Sequence, residues 1–146
     1  MIFSKSFGYA LRGILYVSLK DKQGEKVSIE EIAGELAVPR HFLSKIMNRV
    51  AKGRVLNSAK GIYGGFFTNE NTASTPLIKI FEMIGDGETF TTCALGLRKC
   101  NPQNPCPLHH TIVKVRDDLY EKLKTTTIKD LMTTEDAELI KSLSIF

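Results

Sequence analysis

Between Ser28 and Lys52 the apolar residues fall into two helical sets separated only by a Val38-Pro39 step. Ile29, Ile32, Ala33 and Leu36 recur at the spacing of one helix face, and Ser28 followed by Glu31 has the form of a capping box at its start. Phe42, Leu43, Ile46, Met47 and Val50 form the apolar side of a further helix running to about Lys52. Pro39 falls at its first position, where the missing N–H leaves no bond unmade. Two short helices and so tight a turn predict a helix-turn-helix. The other side of the second helix is Arg40, His41, Ser44, Lys45, Asn48 and Arg49.

Charge follows the same segment. The formal net charge of +4 is unevenly placed, because residues 1–70 carry 11 Lys+Arg against 6 Asp+Glu and residues 71–146 carry 9 against 10. From 39 to 60 there are six basic residues, Arg40, Lys45, Arg49, Lys52, Arg54 and Lys60, and no acidic one. A one-sign stretch of this length predicts a footprint for a polyanion.

Around this motif the chain reads as mainly α. A core helix is expected over roughly 4–20, from Phe7, Ala10, Leu11 and Ile14. Gly53 is expected to close the helix of residues 40–52, and Arg54–Ser58 and Phe66–Thr68 to form two short strands. Between the strands, Lys60-Gly61-Ile62-Tyr63-Gly64-Gly65 is a glycine-rich hairpin tip. A hairpin directly after a recognition-type helix reads as a wing. Thr75-Pro76 opens another helix with Leu77, Ile80, Phe81 and Ile84, ending at Gly85-Asp86-Gly87. From about 88 to 107 no periodicity survives. Beyond it, Leu108, Ile112, Val115, Leu119 and Leu123 make a narrow stripe on a highly charged helix, which favours a helix-pairing seam and hence a dimer. Thr134 to Phe146 is expected to be a last short helix covering the core. The expected organisation is therefore a winged helix-turn-helix over 1–75 and a linker helix, cysteine loop (88–107), dimerisation helix and C-terminal helix over 76–146.

The longest unbroken apolar run, Ile14-Leu15-Tyr16-Val17, is far short of the roughly 18–20 residues of a membrane helix, and no signal-peptide core is visible, so a cytoplasmic chain is expected. Nothing in the sequence presents a Ser/His/Asp set, a carboxylate pair or a phosphate loop. No enzyme and no catalytic residue is expected.

All three cysteines, Cys93, Cys100 and Cys106, lie in the irregular loop, with His109 three residues after the last and His110 beside it. An odd number of thiols in a cytosolic chain does not read as a disulfide set. Gathered in one Pro- and Gly-containing loop with a histidine, they read as metal ligands. The gaps of six, five and two residues are wide for a structural zinc site and suit a polynuclear iron–sulfur centre better. Two other readings stay open from the residues: a zinc-stapled DNA-binding protein without a sensing role, and a thiol redox enzyme using Cys106 with His109.

These blocks in this order resemble the IscR/NsrR family of bacterial winged-helix transcription regulators, the Rrf-two family, over nearly the whole chain. The resemblance is carried by Ser4-Lys5-Ser6-Phe7-Gly8-Tyr9-Ala10-Leu11-Arg12, the helix-turn-helix Ile29–Val50, the wing Gly61-Ile62-Tyr63-Gly64-Gly65-Phe66 and the three-cysteine loop. It implies a homodimer that binds near-palindromic double-stranded operator DNA through the third helix and the wing. Arg40, His41, Ser44, Lys45 and Asn48 would then face the major groove, with Arg49, Lys52 and Arg54 on phosphates and Lys60, Gly61 and Tyr63 reaching from the wing. It also implies a cluster in the loop that senses iron–sulfur supply, nitric oxide or redox state. Cys93, Cys100, Cys106 and His109 are similar to the IscR arrangement, which holds a [2Fe–2S] cluster. Three departures stand out: six residues rather than five between Cys93 and Cys100, Gly8 where nitric-oxide-sensing members place a carboxylate ligand, and Ser44 where IscR carries an acidic residue.

Overall fold

In a computed structural model, residues 3–22, 25–132 and 136–143 are described. The element order is α1 (Lys5–Asp21), α2 (Ile29–Glu35), α3 (Arg40–Lys52), β1 (Asn57–Ala59), β2 (Gly65–Phe67), α4 (Leu77–Met83), α5 (His109–Thr125), α6 (Ile128–Leu131) and α7 (Asp136–Leu143). A single 3-10 turn, Gly87–Phe90, follows α4. The fold class is the expected one: mainly helical, with one two-stranded antiparallel sheet.

α1 is the spine. Ser4 caps it by accepting from the Phe7 N–H at 3.1 Å, and Phe7, Ala10, Ile14 and Val17 face inward with at most 3% exposure. α3 lies across it through Leu43, Ile46, Met47 and Val50, all buried. Ser28 caps α2 by accepting from the Glu31 N–H at 3.2 Å. The Glu31 carboxylate takes another partner, the buried Tyr16 hydroxyl, which donates to it at 2.9 Å. Burial, and then that carboxylate, push the Tyr16 ionisation well above the ordinary tyrosine range.

Three helices end in one backbone motif. After α2, Val38 N–H bonds Ala33 O and Ala37 N–H bonds Gly34 O; after α3, Val55 bonds Val50 and Arg54 bonds Ala51; after α4, Asp86 bonds Phe81 and Gly85 bonds Glu82. Each pair is a Schellman closure, whose central residue takes positive φ. Those residues are Ala37 (51°), Arg54 (59°) and Gly85 (97°). Gly53 closes α3 as expected, as its C-cap with φ −75°, and Arg54 after it makes the left-handed turn. Pro39 stands one place earlier than expected, as the N-cap with φ −56° rather than inside the helix.

The first strand is shorter than the sequence expectation and shifted toward the hairpin tip, and the second keeps its length but starts one residue earlier. Asn57 pairs Phe67, Ser58 pairs Phe66 and Ala59 pairs Gly65. Val55 and Leu56 are fully buried ahead of β1, so the first strand begins only where the chain reaches the surface. Val27 adds a bridge to the other edge of β2, exchanging bonds of 2.9 and 2.8 Å with Phe66. Asp21 at the end of α1 holds Thr68 through its N–H (3.1 Å) and its hydroxyl. The wing is thereby tied to the spine at its base while its tip projects.

The second half returns on itself. Residues 126–129 run antiparallel to 73–77, with Leu77 N–H to Thr126 O, Ile128 N–H to Thr75 O and Lys129 N–H to Ala73 O. Thr127 and Asp130 close a full capping box on α6. α7 packs on α1 through the buried Leu139 and Leu143, as expected of a covering helix; residues 134–135 and 144–146 of that expectation lie outside the described residues.

Gly65 has φ +145°, and a Cβ built there would stand 2.7 Å from Val27 O. Gly65→Ala is expected to destabilise the fold by about 1–3 kcal/mol. Ala37→Gly, which relieves a left-handed alanine, should stabilise it by about 1 kcal/mol. Urea unfolding of both variants checks the pair, and the two midpoints should move in opposite directions.

Candidate functional site

Two surfaces carry the chemistry. The first is the outer side of α3 with the tip of the hairpin. His41, Lys45 and Asn48 are exposed and Ser44 is half-buried, as the helix-turn-helix reading requires. Lys60, Gly61 and Tyr63 are exposed on the hairpin, Tyr63 at 91%, next to Ile62 at 96%. A groove lined by Glu30, Arg40, Lys60 and Gly61 separates the hairpin from the start of α2 and α3.

Two of the expected cations are engaged within the protein. Arg40 donates from Nε (2.8 Å) and Nη2 (2.6 Å) to Glu30 Oε1. Glu30's own backbone N–H, and next Arg40, hold its carboxyl below the usual range. Arg49 reaches to the C-cap of α4, where Nη1 donates to Ile84 O at 3.2 Å.

Phe42 overturns an expectation. It was counted with the core side of its helix but is 53% exposed and stacked on His41, with ring centroids 4.3 Å apart. Leu43, Ile46, Met47 and Val50 already complete the i, i+3, i+4, i+7 face, and Phe42 stands about a quarter-turn off it. Its exposed ring, and that of Ile62's neighbour Tyr63, add apolar area to a face otherwise read as basic.

The second surface is the cysteine loop, which enters from the 3-10 turn and leaves through α5. It is more ordered than its lack of periodicity suggested. Thr92 and Lys99 form a bridge, Cys93 N–H bonds Arg98 O (2.8 Å), Cys100 N–H bonds Thr91 O (2.7 Å) and Gly96 N–H bonds Cys93 O (2.7 Å). The six residues between Cys93 and Cys100 are thus a miniature hairpin, its turn helped by Gly96 at φ 68°. Arg98 Nη2 donates to Asn104 O at 2.8 Å and pins the remaining stretch. His109 is the first residue of α5, its N–H bonded to Cys106 O at 3.0 Å.

Within this frame the expected ligands come together. Cys93 is buried, Cys100 and Cys106 half-buried, and His109 is buried at 8% while His110 is exposed. Cys100 Sγ lies 3.2 Å from His109 Nδ1. The backbone N–H of Leu95, and next the Cys106 side chain, hold the Cys93 thiol below its usual range. Cys100 and His109 thus stand as one pair, and Cys93, Cys100 and Cys106 line one small cavity. Among the described residues no three His, Cys, Asp or Glu side chains converge on a point that would ligate a single ion. Arg116, not among the expected ligands, lines a cavity with Cys100, Cys106 and His109. Cys100, and then Asp117, hold its guanidinium above its usual value.

A hairpin-bearing helix-turn-helix, with a basic recognition helix exposed along its length, defines a DNA-binding transcription regulator rather than an enzyme. The Rrf2 family model, described as an iron-dependent transcriptional regulator, matches residues 3–134, and the chain belongs to that family. It is 36% identical over 141 residues to a protein of Aquifex aeolicus named as an HTH-type transcriptional regulator, covering 95% of this chain and 96% of that one. Among solved structures it is similar to CymR, titled the global cysteine regulator of B. subtilis, with TM-score 0.70 and 18% identity over 90% of this chain and 95% of that one. It is also similar to T. potens IscR, with TM-score 0.65 and 16% identity over 88% and 84%. The two structures share the fold. Among the described residues no helix is long and apolar enough to cross a membrane.

Because Arg49 bonds a helix-end carbonyl and Lys45 is free at the surface, the two cations differ in what they do for the fold. Arg49→Ala is expected to lower stability by about 0.5–1.5 kcal/mol, the net worth of one hydrogen bond. Lys45→Ala should stay within about 0.5 kcal/mol of the parent. Thermal melts of the two variants make the comparison, and equal midpoints would remove the structural role given to Arg49.

Proposed function

We propose that the protein is a cytoplasmic, homodimeric, operator-binding transcription regulator whose DNA affinity is set by an iron–sulfur cluster of the [2Fe–2S] type, held by Cys93, Cys100, Cys106 and His109. The observation that carries this is the gathering of the donors, three thiols around one small cavity and His109 3.2 Å from the Cys100 sulfur. A tetrahedral zinc gathers four ligands around one point. A binuclear cluster takes two ligands on each iron, and Cys100 with His109 is one such pair beside two further thiols.

When bound, the cluster supplies a centre that reducing equivalents, oxidants or nitric oxide can alter, which makes it a sensor of redox state, nitric oxide or iron–sulfur supply. The protein's own residues turn that into a change of shape. Cys93 and Cys106 belong to the loop, whereas His109 belongs to α5, so ligation ties the loop to the helix. α4 ends at the start of the same loop and is bonded at Ile84 O to Arg49 of α3. A ligand set that favours one placement of α5 therefore biases the recognition helix.

On this reading residues 1–75 read DNA and residues 76–146 sense and dimerise. His41, Ser44, Lys45 and Asn48 meet the major groove, Lys60, Gly61 and Tyr63 reach from the wing, and Arg40 and Arg49 hold the frame from which they reach. Of the α5 stripe, Leu108, Ile112 and Val115 are 38%, 38% and 64% exposed in the single chain and support pairing with a second copy, whereas Leu123 is buried in the chain's own core. Two recognition helices related by a two-fold axis require a near-palindromic operator.

Protein purified without air should contain about two iron and about two acid-labile sulfide per chain. Its visible spectrum should be lost in Cys106→Ala and in His109→Ala. About one zinc per chain and no sulfide would replace the sensor by a structural staple.

On DNA selected by the wild-type protein from a random pool, Lys45→Ala with Lys60→Ala should weaken binding across sequences. It should also lower the slope of log affinity against log salt by about 2. Unchanged binding and slope would sink the recognition-face assignment.

A further inference from the structure

Seven residues separate His109 from Arg116, so two turns of α5 bring both to one face, 20° apart on an ideal helix. That face borders a cavity of about 200 Å³, into which Cys100, Cys106, His109 and Arg116 project between the apolar walls of Phe90 and Leu119. The Arg116 side chain is 20% exposed, and its Nε is buried without a hydrogen-bond partner. The carboxylate beside it, Asp117 Oδ1, is 3.5 Å from Nε and largely in solvent, too long for a bond that would satisfy it. An orphaned guanidinium N–H in an apolar cavity is costly unless an anion comes to it. The neighbouring cation on the loop, Arg98, is already committed to Asn104 O.

We propose that Arg116 is a positioning residue for the cluster, its guanidinium donating to the Cys100 sulfur across this cavity and setting the charge the cluster experiences. The proposal rests on the cluster reading given above. Three thiolates and one neutral imidazole leave the oxidised group net negative, and one added electron makes it more so. A buried cation beside a ligand sulfur stabilises the reduced form and raises the potential, because net charge and hydrogen bonds to sulfur are what set it. The same hydrogen bond holds Cys100 in its ligating orientation, so iron leaves more slowly.

The test compares wild type, Arg116→Gln and Arg116→Lys after anaerobic cluster loading. Two quantities are read: the midpoint potential, and the rate of iron release to a chelator. Arg116→Gln keeps a polar side chain but loses the charge. Its reduction equilibrium should move about tenfold against the electron, 59 mV for a one-electron couple, and its iron release should quicken several-fold. Arg116→Lys should recover most of the potential and part of the release rate. A loaded Arg116→Gln with wild-type potential and wild-type release overturns the proposal. So does an equal loss in both variants accompanied by a lowered melting temperature, which would mark Arg116 as packing only. A wild-type protein that takes up neither iron nor sulfide fails at the ligand set itself, a result distinct from a change confined to the variants.

Discussion

The ring of Phe81 is the contact on which both halves of the molecule depend. α4 is only seven residues long, too short to persist in water alone, and Phe81 at 1% exposure anchors it. Its centroid lies 5.3 Å from Phe7 on the spine, 5.9 Å from Phe3 and 5.2 Å from Phe90 in the 3-10 turn; Phe90 in turn meets Tyr120 of α5 at 5.3 Å. Tilted and edge-on pairs of this kind contribute about 0.5–1.5 kcal/mol each beyond the area they bury. The chain of rings fixes α5, and with it His109, against the helix that bears the DNA-reading element. Any change in the loop reaches the distant recognition helix only through contacts this stiff.

The polar counterpart is a division of labour among the cations. Arg12 donates to Leu36 O (2.6 Å) and Leu143 O (2.8 Å), joining α1 to the end of α2 and to α7. Arg40 holds Glu30, Arg49 holds Ile84 O and Arg98 holds Asn104 O. Arginine's planar fork loses less freedom per hydrogen bond than a lysine stem does, which suits it to struts. Lys45, Lys52 and Lys60 stay exposed at the surface. Of the six basic residues between 39 and 60, Arg40 and Arg49 are therefore committed within the fold, and Lys45, Lys52, Arg54 and Lys60 lie exposed.

The helices were legible because their apolar residues keep the 3.6-residue period, and the wing because glycines punctuate it. Misreadings arose where a backbone choice does not follow from residue type. Pro39, expected at the first position of α3, is its N-cap instead, one place outside the helix. Phe42 was placed inside on hydrophobicity, although the α3 face was already full. Within the loop, the absence of period hid a hairpin, since six residues closed by a single bridge leave no periodic trace. Arg116 carried no signal of its own: a lone basic residue on a charged helix is unremarkable until a neighbouring thiol is placed beside it.

By itself the sequence determined the identity of the elements, the family and the set of candidate ligands, since local period, capping chemistry and cysteine spacing are properties of neighbouring residues. The tertiary structure decided that Arg12 and Arg49 are struts, and that α3 and the cysteine loop are joined through α4. Those outcomes depend on contacts between residues dozens of positions apart, such as Arg49 with Ile84 and Phe7 with Phe81, and no local pattern records which distant partner a side chain will meet.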